Sequence, residues 1–238
     1  MNIILFSASE INSPFPKHDR RIKQLMKVIK IQPHELFDAG IINQSIGKAT
    51  YEMADASNVK IDYQPSNIPP TPPMPISVIL GSVRPVNIQR ILRDLCTLGV
   101  EHIHLVQSEK SEKSYINSRA YDQERIQQYL IEGAEQAFSP YLPKVDIHNR
   151  LQDALATCKT FYKFAFDNYD FSTAWGKVTL EVKPVTLAIG PERGWSNTER
   201  ALFSEHNYTM CSLGKRVLRT ETAAIASVSV LLSKLDFI

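Results

Sequence analysis

Two glycine-bearing segments near the end of the chain have the residue types that build a ligand site. One is Ile189-Gly190-Pro191-Glu192-Arg193-Gly194-Trp195-Ser196, which follows an apolar run. The other is Leu213-Gly214-Lys215-Arg216-Val217-Leu218-Arg219-Thr220-Glu221-Thr222. Three of the nine glycines lie in this short region. Glycine after a buried strand lets backbone approach a ligand closely or turn with positive φ. Neither segment is a phosphate cradle, because GxxxxGK[ST] and a strand-following GxGxxG are both missing. No GxSxG elbow supports hydrolase chemistry. The six histidines (His18, His34, His102, His104, His148, His206) show no metal-ligand spacing. His102 and His104 would share a strand face, but two ligands do not make a site, so no metal is expected.

The elements that position these loops alternate in type. Ile76–Leu80 reads as a strand, and Ile88, Ile91, Leu92 and Leu95 follow at helical spacing with Gly99 as the stop. Strands are expected at 103–106, 161–166, 185–189 and 208–212, with helices over roughly 118–138 and 221–235. Ser196 and Glu199 have capping-box spacing for a further helix. This alternation predicts an α/β fold with a mainly parallel sheet and helices on both faces. Ligands of such sheets bind beyond the carboxyl ends of the strands, where both glycine-bearing segments fall.

Upstream, Pro65, Pro69, Pro70, Pro72, Pro73 and Pro75 crowd one stretch. They predict an extended linker over 65–75, between a small domain at 1–64 and a larger one at 76–238. In the small domain, residues 3–6 read as a strand. Ile22, Leu25, Met26 and Ile29 form one apolar helix stripe, with Arg20, Lys23, Lys27 and Lys30 on another face. Lys17, Arg20, Arg21, Lys23, Lys27 and Lys30 face a single acid, Asp19. Such a cluster is either a solvated helix face or a footprint for phosphates.

At 238 residues, 43% hydrophobic and 22% charged, the chain has globular composition. A net charge of +2 is too balanced for a global nucleic-acid footprint. Three widely spaced cysteines argue against a disulfide scaffold or a zinc framework and favour the cytoplasm. No apolar run is long enough for a membrane span.

The paired segments Gly190–Ser196 and Leu213–Ala223 resemble the signature of the RsmE family, roughly GPEGG(F/L)S followed by LGxR(I/V)LRTETA. Leu98-Gly99-Val100, Ser108–Ser111, Glu135-Gln136 and Val28–Pro33 fit more loosely. The family comprises small-subunit (16S) ribosomal RNA uridine-N3 methyltransferases of the SPOUT superfamily. The resemblance implies a PUA-like β-barrel domain that binds RNA, followed by a SPOUT α/β domain with a C-terminal trefoil knot. It implies a homodimer using S-adenosyl-L-methionine, with ribosomal RNA or the small ribosomal subunit as partner. The cofactor would lie against Ile189, Gly190, Pro191, Glu192, Gly194, Leu213, Gly214, Val217, Leu218 and Thr222. Arg219 would stabilise charge on the uridine, and Glu221 would orient Arg219 or sit near the departing proton. The alternative for this pair is a structural ion pair at a helix N-terminus. Lys17, Arg20, Arg21, Lys23, Lys27, Lys30 and Arg193 become RNA-contact candidates.

The chain departs from the family pattern at several points. Arg193 replaces a glycine, Thr97 a glutamate, and Val86-Asn87 a basic pair. The arginine expected after Glu135-Gln136 is missing. These losses keep two other readings open: a SPOUT enzyme acting on another RNA such as transfer RNA, or an inactive RNA-binding paralogue.

Overall fold

The computed structural model describes residues 2–238 and divides into two compact units, Met1–Pro72 with Ala134–Leu142, and Pro73–Gly133 with Pro143–Ile238. The first unit thus includes a segment distant in sequence, outside the expected 1–64. Its strands are β1 (Ile4–Phe6), β2 (Phe15–Pro16), β3 (Phe37–Ile41), β4 (Ser45–Met53) and β5 (Asn58–Pro65), in the order β1-β3-β4-β5-β2. Among the described residues only the β1–β3 pair of this sheet is parallel. The apolar stripe forms a helix as expected, but only its first turn, α1 (Arg20–Lys23), is α-helical. It continues as a wider π-turn over Gln24–Ile29 and stops at Lys30, which is left-handed at φ 62°. Asp19 caps α1 by accepting the Arg21 N–H at 2.8 Å. Ile22 and Leu25 are fully buried against Phe6, Phe15, Phe37, Tyr51 and Ile61.

In the second unit, β6 (Met74–Gly81), α2 (Pro85–Thr97), β7 (Val100–Val106), α3 (Lys113–Ile116) and α4 (Gln123–Gln136) come first; α4's final residues belong to the first unit. They are followed by β8 (Lys144–His148), α5 (Leu151–Thr157), β9 (Tyr162–Phe166), β10 (Thr173–Ala174) and β11 (Val185–Ile189). The chain finishes with α6 (Asn197–Glu205), β12 (Thr209–Ser212) and α7 (Thr220–Lys234). The seven strands form one wholly parallel sheet in the order β10-β12-β9-β11-β6-β7-β8. Every residue of β11 is buried, as a strand covered on both faces requires. Ile79, Ala165 and Ala188 pack with Leu151, Leu155, Trp195 and Phe203 of the α5–α6 side. By strand alternation Val78 and Leu187 face the other way, where α7 packs on α2 and β11.

Two expectations need adjusting. The linker is shorter than 65–75, because Pro65 closes β5 while Met74 and Pro75 open β6. Pro75 has no N–H for the ladder, and it falls where the β6–β7 register shifts, between Met74 and Ser77. The helix expected over 118–138 is interrupted at Asp122, whose extended backbone (ψ 141°) separates a 3-10 turn at Arg119–Tyr121 from α4.

Candidate functional site

A cleft of about 680 Å³ opens beyond the carboxyl ends of β6, β9, β11 and β12. The first glycine-bearing loop forms one wall because it folds back on itself. Gly194 donates its N–H to the Pro191 carbonyl at 2.8 Å and takes φ +66°. That reversal brings Gly194 Cα within 3.2 Å of where a Cβ on Gly190 would lie. Pro191 in turn presses on Gly81, the last residue of β6, where a Cβ would meet Pro191 Cδ at 2.5 Å. Glu192 ties the same loop to the β6–α2 loop, accepting the Arg84 N–H at 3.0 Å. Ser196 and Glu199 complete the expected capping box of α6, with bonds of 3.0 and 2.8 Å.

The second loop supplies an apolar wall from Leu213, Val217 and Leu218. Of the ten residues expected to hold a cofactor, Ile189, Gly190, Pro191, Glu192, Gly194, Leu213, Val217 and Leu218 line the cleft. Gly214 and Thr222 do not; both are exposed. Gly214 shapes the loop instead, at φ +131°, with its N–H donated to Ser212 Oγ at 3.2 Å.

Arg219 and Glu221 both border the cleft at the start of α7. Their closest approach is 4.0 Å, and Arg219 is 87% exposed. The pair is at the outer limit of an ion pair, and the guanidinium projects into solvent. Arg219 is also the N-cap residue of α7 and makes no capping bond through its side chain. The first N–H groups of the helix, which favour negative charge, therefore lack a side-chain cap. Arg193 stands exposed on the rim, 3.8 Å from Glu112.

Several lining residues were not expected there. Arg84 comes from the start of α2 with Val86 and Asn87, noted in the sequence only as departures from the family pattern, and Phe166, Asp167, Asn168 and Tyr169 come from the end of β9. The usable signal was position, since both groups follow a strand of the parallel sheet. Asp167 is fixed by Arg200 Nε at 2.9 Å and accepts the Tyr169 N–H at 2.8 Å.

The basic cluster of the N-terminal unit separates into two sets. Arg21 donates to both oxygens of Asp19, bonds Glu10, and lies 5.0 Å over the Phe6 and Phe15 rings. Arg20 makes a pair with the buried Glu135 at 3.1 Å. The Arg21 charge is engaged inside the unit, whereas Arg20 is paired with Glu135 and still exposed. Lys23, Lys27 and Lys30 are exposed, and Lys17 is half-buried.

Comparison with known proteins defines first a class and then a family within it. Residues 70–232 match the model described as RNA methyltransferase domain. The chain is 33% identical to the ribosomal RNA small subunit methyltransferase E of Treponema pallidum, over 98% of this chain and 91% of that protein. It is 27% identical to the ribosomal RNA small subunit methyltransferase E 1 of Borreliella burgdorferi, covering 99% of each. Among solved structures, the ribosomal RNA small subunit methyltransferase E of Neisseria gonorrhoeae, bound to S-adenosyl methionine, superposes with a TM-score of 0.82 at 21% identity over 100% of both chains. A methyltransferase from Legionella pneumophila, in complex with the bound cofactor SAM, gives 0.82 at 22% identity, covering 98% of this chain and 97% of that one. The chain belongs to the ribosomal RNA small subunit methyltransferase E family of RNA methyltransferases.

Proposed function

We propose that this protein transfers a methyl group from S-adenosylmethionine to N3 of a uridine in 16S ribosomal RNA. The observation that carries this reading is the cleft itself, built from the two loops that bear the family's paired signature. Its size is within the range of small-molecule sites, and it joins an apolar wall to close backbone, as an adenosine requires. When bound there, S-adenosylmethionine supplies an electrophilic methyl group on its sulfonium. Gly190 and Gly194 keep the first loop flat enough for backbone to meet the ligand, while Leu213, Val217 and Leu218 enclose its base. Gly214 contributes by holding the second loop's turn, and Thr222 by position on α7's first turn.

Departure of the N3 proton spreads negative charge onto O2 and O4 of the uracil. Arg219 is the donor that meets this charge. Glu221, only 14% exposed, steers the guanidinium. The target base must leave its stack to reach the cleft. Lys17, Lys23, Lys27, Lys30 and Arg193 hold the surrounding RNA through its phosphates.

The finer architecture we propose is a PUA-like barrel for the first unit and a SPOUT domain with a C-terminal trefoil knot for the second. In support of the knot, β12 is inserted between β9 and the earlier β10 instead of adding at an edge. A homodimer acting in the cytoplasm completes the reading. Among the described residues no helix is long and apolar enough to cross a membrane.

The test is methyl transfer from labelled S-adenosylmethionine into small ribosomal subunits of cells lacking this gene, with the product nucleoside identified by mass spectrometry. Label in 3-methyluridine is expected. Binding of S-adenosylmethionine without label in subunits would overturn the ribosomal assignment. Val86, 81% exposed on the rim where the family pattern has a basic residue, would then direct the search to other RNAs.

A further inference from the structure

Outside the cleft, three imidazoles and a carboxylate converge at one edge of the parallel sheet. β8 is the edge strand, and its register on β7 sets Lys144 beside His102, Asp146 beside His104, and His148 beside Val106. Alternation then places His102, His104, Asp146 and His148 on one face. Val106 fixes which face, since it packs with Leu151, Ala154 and Leu155 of α5. Ligand atoms of His102, His104 and Asp146 all lie within 4.8 Å of one another. His148 Nε2 is 3.1 Å from His104 Nδ1, and His102 Nε2 is 2.8 Å from Asp146 Oδ2.

We propose that His102, His104, Asp146 and His148 form a binding site for a divalent transition metal of the zinc class. Tetrahedral coordination with bonds of about 2.0 Å sets ligand atoms about 3.3 Å apart. Both of these separations are within half an ångström of that spacing; His102, His104 and Asp146 form the close set, and His148, in contact with His104, is brought in as the fourth ligand by side-chain rotation. Imidazole nitrogens with one carboxylate oxygen are a donor set that suits zinc, cobalt(II) and nickel(II) better than magnesium or calcium. Access is available, because His104 is 1% exposed while the His102 and Asp146 side chains are 22% and 32% exposed.

Two neighbouring charges bear on the site. Lys144 Nζ occupies Asp146 Oδ2 at 2.9 Å, but the lysine is 68% exposed and free to swing into solvent. Asp153 of α5 is paired with Arg150 at 2.9 Å, and its negative charge near His148 favours a cation. A bound ion would clamp the edge strand β8 to β7 without touching the methyl-transfer cleft, which is built on β6, β9, β11 and β12. The competing account is a hydrogen-bonded polar edge that holds no ion.

The experiment titrates cobalt(II) into untagged full-length protein freed of metal with a chelator, and follows visible absorption and thermal melting. One equivalent should bind with the intense visible bands of tetrahedral cobalt, be displaced by zinc, and raise the melting temperature. His148→Ala and Asp146→Asn, both at partly exposed positions, should each weaken binding by about tenfold or more. Lys144→Gln should tighten it, since it removes a competing cation. Absence of the tetrahedral spectrum in excess cobalt, or binding that neither His148→Ala nor Asp146→Asn changes, would overturn the proposal.

Discussion

Asp167, at the carboxyl end of β9, is 2% exposed and receives Arg200 Nε from α6 at 2.9 Å. Its second oxygen accepts the N–H groups of Tyr169 and Asp170 at 2.8 and 3.3 Å, so one carboxylate shapes a wall of the cleft and ties it to a helix. Removing one partner of a buried pair leaves the other charge uncompensated, at about 3–5 kcal/mol. Asp167→Ala should therefore lower stability by about that amount and weaken S-adenosylmethionine binding. Urea melts paired with calorimetry check both. A variant within about 1 kcal/mol of wild type would show the pair to be incidental.

Gly81 makes a sharper steric prediction. A methyl group there meets Pro191 Cδ at 2.5 Å and Pro191 N at 2.8 Å, and neither ring nor backbone gives way cheaply. Overpacking of this kind costs about 1–3 kcal/mol. Gly81→Ala should push the Pro191 loop into the cleft and lower cofactor affinity about tenfold. Gly176→Ala is the control, because nothing lies within 4 Å of its added methyl. Equal affinities for the two variants would dissociate the Gly81–Pro191 contact from binding.

The basic residues of the N-terminal unit should divide by experiment as they do in the structure. Replacing Lys23, Lys27 and Lys30 with glutamine should weaken RNA binding and reduce its salt slope by about 2, with the melting temperature unchanged. Arg21→Met should instead destabilise the unit by about 3 kcal/mol. If the lysine variant keeps the wild-type slope, those lysines form an ordinary solvated face.

Arg21 also sets an acid response. Burial acts to raise the carboxyls of Glu10 and Asp19, but Arg21's hydrogen bonds and charge outweigh it, and both are held below their ordinary values of 4.5 and 3.8. A carboxyl depressed by folding lends stability that is whole above its ordinary value and is lost as pH falls through its folded value. Hydrogen exchange of β3–β5 should accelerate below about pH 4, and Arg21→Met, which frees both carboxyls from the depression, should lower stability near neutral pH and flatten that acid response. An acid response that is the same in both proteins would rule out the cluster as its source.

The strands and helices of the parallel sheet were legible where apolar residues were dense, at β6, α2, β11 and α7. β8 was not, because Lys144, Asp146 and His148 give it a polar face at the sheet edge, and with it went half of the histidine cluster. In the N-terminal unit β1 was legible from its apolar run, but the other strands have the same problem: β4 carries Ser45, Gly47 and Lys48, and only pairing reveals it. In the cleft, the glycine-bearing loops announced themselves by composition. Asp167 did not, since a lone carboxylate has no signature until a partner such as Arg200 is brought to it. The charges of Arg20 and Arg21 were visible as sequence, but their pairing with Glu135 and Glu10 depends on tertiary folding.

The segment 134–142 has a consequence for synthesis. Within the N-terminal unit, Glu135 accepts from Arg20 and from the Leu5 N–H, and Asn43 holds the Pro140 and Leu142 backbone. These partners emerge from the ribosome long after Pro72. The apolar core of the N-terminal unit is complete within residues 4–63, but these polar partners arrive only after α4 has been made. A gene fragment cut at the proline linker would produce a chain lacking its own last piece.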